Sequence, residues 1–303
     1  MEKSKYIWLS GKFLPWNKAK VHFLTHALHY GSAIFEGIRC YSTPNGPAVF
    51  RLKDHLERFY DSALIIEMKI PFPKEKLRKA VLELVKKNRL KECYIRPLAF
   101  YGYGRMGLNP LGIRPEVGVA CWKWETYFGK SVLEKGITAG ISSWQRISPK
   151  AMPTKAKASG NYVNSILAKI DAINSGHDEG ILLDAEGNVA EASGENIFVV
   201  RDLELITPPE TNILEGITRK SVIEIASREE IPVKEEYFTR DQLYTADEAF
   251  LTGTAAEITP IREVDERKIG NGKRGQITKR LQKKFFEIVH GKDSQYSKWL
   301  DFV

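Results

Sequence analysis

The chain has 303 residues, 43% hydrophobic and 28% charged, which is enough for a sizeable core and more than one mixed domain usually holds; two domains are expected. An aromatic content of 11% excludes a disordered chain. No apolar run approaches the roughly 20 residues needed to span a bilayer, and Met1-Glu2-Lys3-Ser4-Lys5-Tyr6 has no signal-peptide core, so a cytoplasmic protein without a membrane partner is expected.

The net charge of +8 is diffuse. Mixtures such as Lys74-Glu75-Lys76 read as solvated helix faces, and no nucleic-acid motif accompanies them. Such a surplus suits anionic small molecules at least as well as nucleic acid, and no nucleic-acid partner is expected. Abundant Lys and Glu with few Cys and Met fit a heat-adapted, thermostable protein. Cys40, Cys93 and Cys121 are sparse and lack a CxxC spacing, which argues against a disulfide framework and a structural zinc. His22, His26 and His29 lie close together without an HExxH arrangement, so they read as packed histidines rather than metal ligands.

Tyr6–Leu9 is strand-like and Ser10-Gly11-Lys12 a turn. Leu56, Phe59, Ala63, Leu64 and Met68 recur with a 3.6 period and predict a helix over 54–68. Leu77, Val81, Leu84 and Val85 predict another over 74–90. Residues 94–100 and 117–122 read as strands. The aromatic and glycine-rich stretch 122–129 reads as a linker, giving a small N-terminal domain over 1–121, a linker over 122–133 and a larger C-terminal domain over 134–303. In the second part, strands are expected over 136–144, 180–184 and 196–201, the last two joined by the Glu186-Gly187-Asn188 turn. Helices are expected over 161–174, 217–228 and 278–289, with a strand at 249–252. The pattern is α+β, with antiparallel hairpins favoured over a doubly wound sheet. No GxGxxG or GxxxxGK[ST] occurs, so neither a dinucleotide fold nor a P-loop is signalled.

Four segments place polar or small residues at element ends. In Pro153-Thr154-Lys155-Ala156-Lys157-Ala158-Ser159-Gly160, small neighbours leave room beside a lysine able to form a Schiff base. Spacing does not choose between Lys155 and Lys157, and two surface lysines are the commoner meaning of such a pattern. Glu191-Ala192-Ser193-Gly194-Glu195-Asn196 offers a carboxylate that could face inward, or simply a polar strand entry. Leu214-Glu215-Gly216-Ile217-Thr218-Arg219 opens a helix whose free N–H groups suit a phosphate, although a plain N-cap is commoner. Leu251-Thr252-Gly253-Thr254-Ala255-Ala256 ends a strand where backbone can approach an anion, or where the chain merely turns tightly. A lysine, an inward carboxylate and two anion loops are together the parts a pyridoxal phosphate enzyme needs.

With these residues in place, the sequence resembles the branched-chain amino-acid aminotransferases of the fold-type IV pyridoxal phosphate class. The resemblance runs over essentially the whole chain. It includes Ala27-Leu28-His29-Tyr30-Gly31, Phe35-Glu36-Gly37-Ile38-Arg39, Tyr94-Ile95-Arg96-Pro97, Lys157-Ala158-Ser159-Gly160-Asn161-Tyr162, Glu191 to Asn196, Gly216-Ile217-Thr218-Arg219, and Gly253-Thr254-Ala255-Ala256-Glu257-Ile258-Thr259-Pro260. It implies a two-domain, D-amino-acid-aminotransferase-like fold with the cofactor at the domain interface. It selects Lys157 as the catalytic, Schiff-base lysine. It implies Glu191 at the pyridine nitrogen, Tyr162 at the phenolic oxygen, and Arg58, Gly216, Ile217, Thr218, Gly253 and Thr254 around the phosphate. The backbone of Thr254 and Ala255, with the Tyr94 hydroxyl, would take the α-carboxylate. Phe35, Gly37, Trp124, Tyr127 and Tyr162 would line the side-chain pocket. Arg96 and Tyr30 would meet the distal carboxylate of glutamate.

The resemblance further implies an obligatory homodimer in which Tyr30 and Leu108 come from the neighbouring subunit, in a family that often forms hexamers as trimers of dimers. The implied reaction is reversible ping-pong transfer between L-leucine, L-isoleucine or L-valine and 2-oxoglutarate, the cofactor cycling between pyridoxal and pyridoxamine 5′-phosphate. Burial favours branched substrates, at about 0.8 kcal/mol per CH₂. Two features depart from expectation: Lys155, two residues before Lys157, and Glu215, a carboxylate beside a phosphate loop. The nearest alternatives are other fold-type IV enzymes, namely D-amino-acid or R-selective amine transaminases and aminodeoxychorismate lyase. A non-catalytic binding protein would have no need of both Lys157 and Glu191.

Overall fold

The computed structural model describes residues 2–124, 128–129 and 131–303. They fall into two compact units, one of residues 1–125, 156–160 and 287–303, the other of 126–155 and 161–286. The units are therefore not contiguous in sequence, as a simple split at 122–133 would have them. The short segment carrying Lys157 and the C-terminal residues cluster with the first unit.

The first unit is built from β1 (Tyr6–Leu9), β2 (Lys12–Pro15), α1 (His26–Tyr30), β3 (Ala33–Phe35), β4 (Ile38–Thr43), β5 (Gly46–Phe50), α2 (Leu52–Ile65), α3 (Lys74–Asn88), β6 (Cys93–Tyr101) and β7 (Pro115–Trp122). The C-terminal strand Leu300–Phe302 pairs antiparallel with β5 and begins the order C-terminal strand–β5–β4–β6–β7–β1–β2, with β3 on β6. Every pairing described in this sheet is antiparallel. One face packs on α2 and α3, where Leu56, Phe59, Leu77, Val81 and Leu84 meet Ile95, Cys93 and Val119 in the core. Cys40, Cys93 and Cys121 are buried free thiols. Leu64 departs from the expected helix face: it is exposed, while Leu56, Phe59, Ala63 and Met68 are buried. His26 is satisfied locally, its Nε2–H donating to the Gly107 carbonyl at 2.8 Å and its Nδ1 lying 2.7 Å from the Ser32 hydroxyl.

The second unit contains α4 (Val132–Lys135), β8 (Ile137–Ile141), α5 (Tyr162–Asn174), β9 (Glu179–Leu183), β10 (Val189–Ala192), β11 (Asn196–Arg201), β12 (Glu204–Thr207), α6 (Ile217–Arg228), β13 (Val233–Glu235), α7 (Arg240–Tyr244), β14 (Glu248–Gly253), β15 (Glu257–Val264) and β16 (Arg267–Lys268). The division between units falls within α8 (Gln276–Val289). The sheet order is β10–β9–β8–β15–β14–β11–β12–β13, with β16 on β15. Antiparallel hairpins dominate, but β8 runs parallel to both β9 and β15, and β12 parallel to β13. The 186–188 turn leads into β10, which pairs with β9, rather than directly into β11. On α5 the small residues Ala168 and Ala172 face inward, while Val163, Ile166, Ile170 and Ile173 are exposed. The cause is close packing on β9: a Cβ at Gly180 would lie 2.7 Å from the Ala168 carbonyl oxygen.

Candidate active site

In the first unit, the segment 156–160 is laid against β3. Ala158 forms a bridge with Ile34, and Phe35 N–H donates to the Lys157 carbonyl at 3.0 Å. The Lys157 N–H in turn donates to the buried Ser62 hydroxyl on α2 at 3.0 Å. With its backbone held on both sides, Lys157 is half-buried and its Nζ sits 5.0 Å from the centre of the Phe35 ring. Lys155, by contrast, is exposed.

Beside Lys157 lies a charged cluster buried under α2. Glu36 is fully buried and accepts from Arg58 Nε at 2.7 Å, Arg58 Nη2 at 2.9 Å and His55 Nδ1 at 2.7 Å. Burial pushes the Glu36 carboxyl up, but Arg58 and His55 outweigh it and hold the group well below the usual carboxylate range. His55 shifts down: burial is the main cause, opposed by Glu36 and reinforced by the positive charges of Arg58 and Lys157. The imidazole is therefore neutral at pH 7, and the bidentate contact fixes the plane of the Arg58 guanidinium. Arg58 is thus held by Glu36, and the charges of both Arg58 and Lys157 act on His55; the sequence alone assigns no role to Glu36 or His55.

The sheet face opposite the core carries the expected pocket residues of this unit. The register pairs Tyr94 with Trp122 and Arg96 with Ala120. Arg96 Nη2 donates to the Tyr94 hydroxyl at 3.3 Å. Its guanidinium carbon lies 4.9 Å from the Phe35 ring centre, and the Tyr94 and Trp124 ring centres lie 5.0 Å apart with the planes tilted by 36°. Gly37 is required here, since a Cβ would fall 1.9 Å from the Tyr94 hydroxyl oxygen. Tyr30 and Leu108 are exposed, Leu108 at 87%. Tyr127 lies outside the described residues.

In the second unit, Glu191 on β10 forms a buried ion pair with Arg146, Nε to Oε1 at 2.6 Å. Its Oε2 accepts from Asn196 Nδ2 at 3.0 Å and from Leu214 N–H at 3.2 Å. Asn196 Nδ2 also reaches the Leu214 carbonyl at 3.0 Å, so one amide ties Glu191 to the loop that opens α6. Gly216 is the N-cap of α6, with no side-chain cap, leaving the first-turn N–H groups at Ile217 and Thr218 available to an anion. A Cβ at Gly216 would lie 1.9 Å from Asn196 Oδ1. Arg219, 1% exposed, anchors this turn by donating to Glu210 at 3.0 Å, Glu235 at 2.6 Å and the Pro208 carbonyl at 2.9 Å. Thr254 and Ala255 lie in the turn between β14 and β15, whose entry Gly253 accommodates the Glu195 side chain. Tyr162 is the half-buried first residue of α5. Each unit thus gathers its share of the expected residues.

Glu36, His55, Ser62, Arg146 and Arg219 have no role in the sequence reading, and Asn196 only a place in a motif. The side-chain partners that place them lie 5 to 95 positions away along the chain, and of the six only Glu36, Arg219 and Asn196 stand within a recognised motif.

The amino-transferase class IV family matches residues 33–264. The branched-chain-amino-acid aminotransferase of Pseudomonas aeruginosa is 46% identical over 302 residues, covering 100% of this chain and 98% of its own. The T.th. branched-chain amino acid aminotransferase complexed with N-(5′-phosphopyridoxyl)-L-glutamate is 49% identical with a TM-score of 0.96, covering 100% of this chain and 99% of the other. The same T.th. enzyme with pyridoxamine 5′-phosphate gives a TM-score of 0.97 at 49% identity, with the same coverage.

Proposed function

The chain belongs to the amino-transferase class IV family, and from that premise we propose that it transfers the amino group of L-leucine, L-isoleucine or L-valine to 2-oxoglutarate, reversibly and by a ping-pong cycle, with pyridoxal 5′-phosphate as cofactor. The observation that carries the reading is the setting of Lys157: a lysine clamped at both backbone groups, half-buried, beside a guanidinium that a buried carboxylate holds in plane.

The donor chemistry fits this cofactor. Arg58 in the first unit and the uncapped turn of α6 in the second each have the chemistry to receive a phosphate dianion. Glu191, an anion held by an ion pair with Arg146 and by two N–H donors, suits a protonated ring nitrogen. When bound, the cofactor supplies an aldehyde for the lysine and a ring that accepts electrons from the substrate's Cα. Lys157 Nζ would hold the cofactor's aldehyde and would be the base that moves the proton of the substrate's Cα. Glu191 would keep the ring nitrogen protonated. Tyr162 would donate to the phenolic oxygen. The α-carboxylate would be oriented by the donors the family resemblance gives it, the N–H groups of Thr254 and Ala255 and the Tyr94 hydroxyl. Phe35 and Trp124 exclude water and take the branched side chain, and Arg96 takes the distal carboxylate of glutamate.

We place the active form as a homodimer in the cytoplasm, with Tyr30 and Leu108 completing the partner's pocket. Exposure of these apolar side chains supports that reading. The test is the visible spectrum of the purified protein. A band that L-leucine converts to the pyridoxamine form and 2-oxoglutarate restores is expected; conversion by D-alanine alone would replace the substrate class.

A further inference from the structure

The pocket face of β6 and β7 holds two donors with no acceptor. Arg96 Nε and the indole Nε1 of Trp122 are both buried without a hydrogen-bond partner among the described residues. No carboxylate among those residues forms an ion pair with Arg96. Leaving a buried donor unmade is costly, and more so for a charged one. Such pairs persist where a ligand completes them.

The β6–β7 register explains why the two donors share a face. Trp122 stands opposite Tyr94, two residues along β6 from Arg96, and period-two alternation turns all three side chains to the same side. Ala120, opposite Arg96, is small and leaves the guanidinium room. The Arg96 guanidinium carbon lies 4.9 Å from the Phe35 ring centre, 5.3 Å from that of Tyr94 and 6.0 Å from that of Trp122. A cation faced by three aromatic rings is stabilised by their quadrupoles while no anion is present. The same rings offer apolar surface to a branched side chain. The face can therefore receive either an alkyl group or a carboxylate.

We propose that the Trp122 indole N–H is a specificity-determining donor that acts with Arg96 Nε on the second carboxylate of a dicarboxylic substrate. This rests on the reading of Arg96 as the residue that meets that carboxylate. Arg96 supplies the charge. Trp122 supplies a neutral donor that carries no desolvation penalty of its own charge when an alkyl chain takes the site instead.

The test is the Trp122→Phe variant, which keeps an aromatic ring and removes the N–H. Dissociation constants for the non-reacting glutarate and 4-methylpentanoate would be measured on the holoenzyme, together with KM and kcat for 2-oxoglutarate and L-leucine. Glutarate binding is expected to weaken about tenfold, the size of a hydrogen bond to a charged acceptor. KM for 2-oxoglutarate should rise alike, with kcat and both monocarboxylate values unchanged. Equal weakening of both ligands would make Trp122 a packing residue and overturn the proposal, as would no weakening at all. Arg96→Gln, measured alongside, separates the two levels. If it discriminates against glutarate and Trp122→Phe does not, the proposal falls and the Arg96 reading stands. If Arg96→Gln does not discriminate, the reading beneath the proposal falls with it.

Discussion

The ammonium of Lys155 lies 2.5 Å from one carboxylate oxygen of Glu215, and Lys220 reaches the other at 2.8 Å. The two residues that depart from expectation thus neutralise each other. Partial burial pushes the Glu215 carboxyl up, but Lys155 and Lys220 outweigh it and bring it down to about 2. Its negative charge is spent on two lysines beside the α6 loop, and Lys155 is spent on Glu215. Lys155→Met is therefore expected to keep kcat within about twofold, since exposed ion pairs contribute little. Lys157→Ala should abolish transamination with the fold intact. Steady-state assays of both variants check this; near-normal turnover by Lys157→Ala would transfer the catalytic role to Lys155.

The Glu36–His55–Arg58 cluster makes stability depend on acid. A carboxyl whose pKa falls on folding adds stability above its unfolded value, near 4.5 for Glu36, and loses it as the pH drops toward the folded value. A histidine whose pKa falls from 6.5 is charged in the unfolded chain before the native one, so it too costs stability as pH drops below that value. Both act in the same direction. The melting temperature should fall in two stages, first below about pH 6.5 and then below about pH 4.5, the ordinary values of the two groups. Glu36→Gln strands the Arg58 charge and should cost about 3 kcal/mol or more, while flattening the lower stage. It should also weaken pyridoxal phosphate binding, because Arg58 loses its bidentate support. Thermal melts across pH and cofactor titration of the apoprotein measure these effects; a melting curve unchanged by Glu36→Gln would contradict the account.

How far these features can be read from sequence depends on the range of the interactions involved. Helix α6 lies where expected because local signals define it: Gly216 before Ile217 and Thr218, then apolar residues at helical spacing. Strand β10 gives no such signal, because Val189, Ala190, Glu191 and Ala192 are all buried and no alternation marks it. Leu64 matches the helical period but falls on the solvent side, a fact decided by what packs on α2 rather than by spacing. The backbone setting that distinguishes Lys157 from Lys155, the bridge between Ala158 and Ile34 and the bond to Ser62, 95 positions from Lys157, has no local signal in the sequence. The ion pair of Arg146 with Glu191 has no local signal, because a buried arginine and a surface one look alike in sequence.

Glu191 is held by the Arg146 ion pair and two N–H donors, which makes charge and orientation separable. Glu191→Gln keeps the shape and removes the charge that would keep a ring nitrogen protonated. Turnover should fall by about a hundredfold or more, with a smaller change in cofactor affinity. Asn196→Ala keeps the charge but releases the tie to Leu214. Its loss should appear first as weaker cofactor binding. Single-turnover rates with L-leucine and titrations of the apoprotein distinguish the two, and equal kinetics for Glu191→Gln and the parent would remove Glu191 from the chemistry.

Gly216 offers a test of how Asn196 and the α6 turn are coupled. A Cβ there would lie 1.9 Å from Asn196 Oδ1 and 3.3 Å from the Arg219 Cβ. The glycine adopts φ −68 and ψ 128, which any residue could take, so the requirement is space rather than backbone freedom. Gly216→Ala must displace the Asn196 amide, and with it the contacts to Glu191 and Leu214. Cofactor affinity should drop about tenfold, a coupling within the range seen for residues in contact. In the Asn196→Ala background the collision is gone, so adding Gly216→Ala should cost little more. A double-mutant cycle on the pyridoxal phosphate dissociation constant reads this directly. Additive losses would mean that the alanine acts on the phosphate turn itself and not through Asn196.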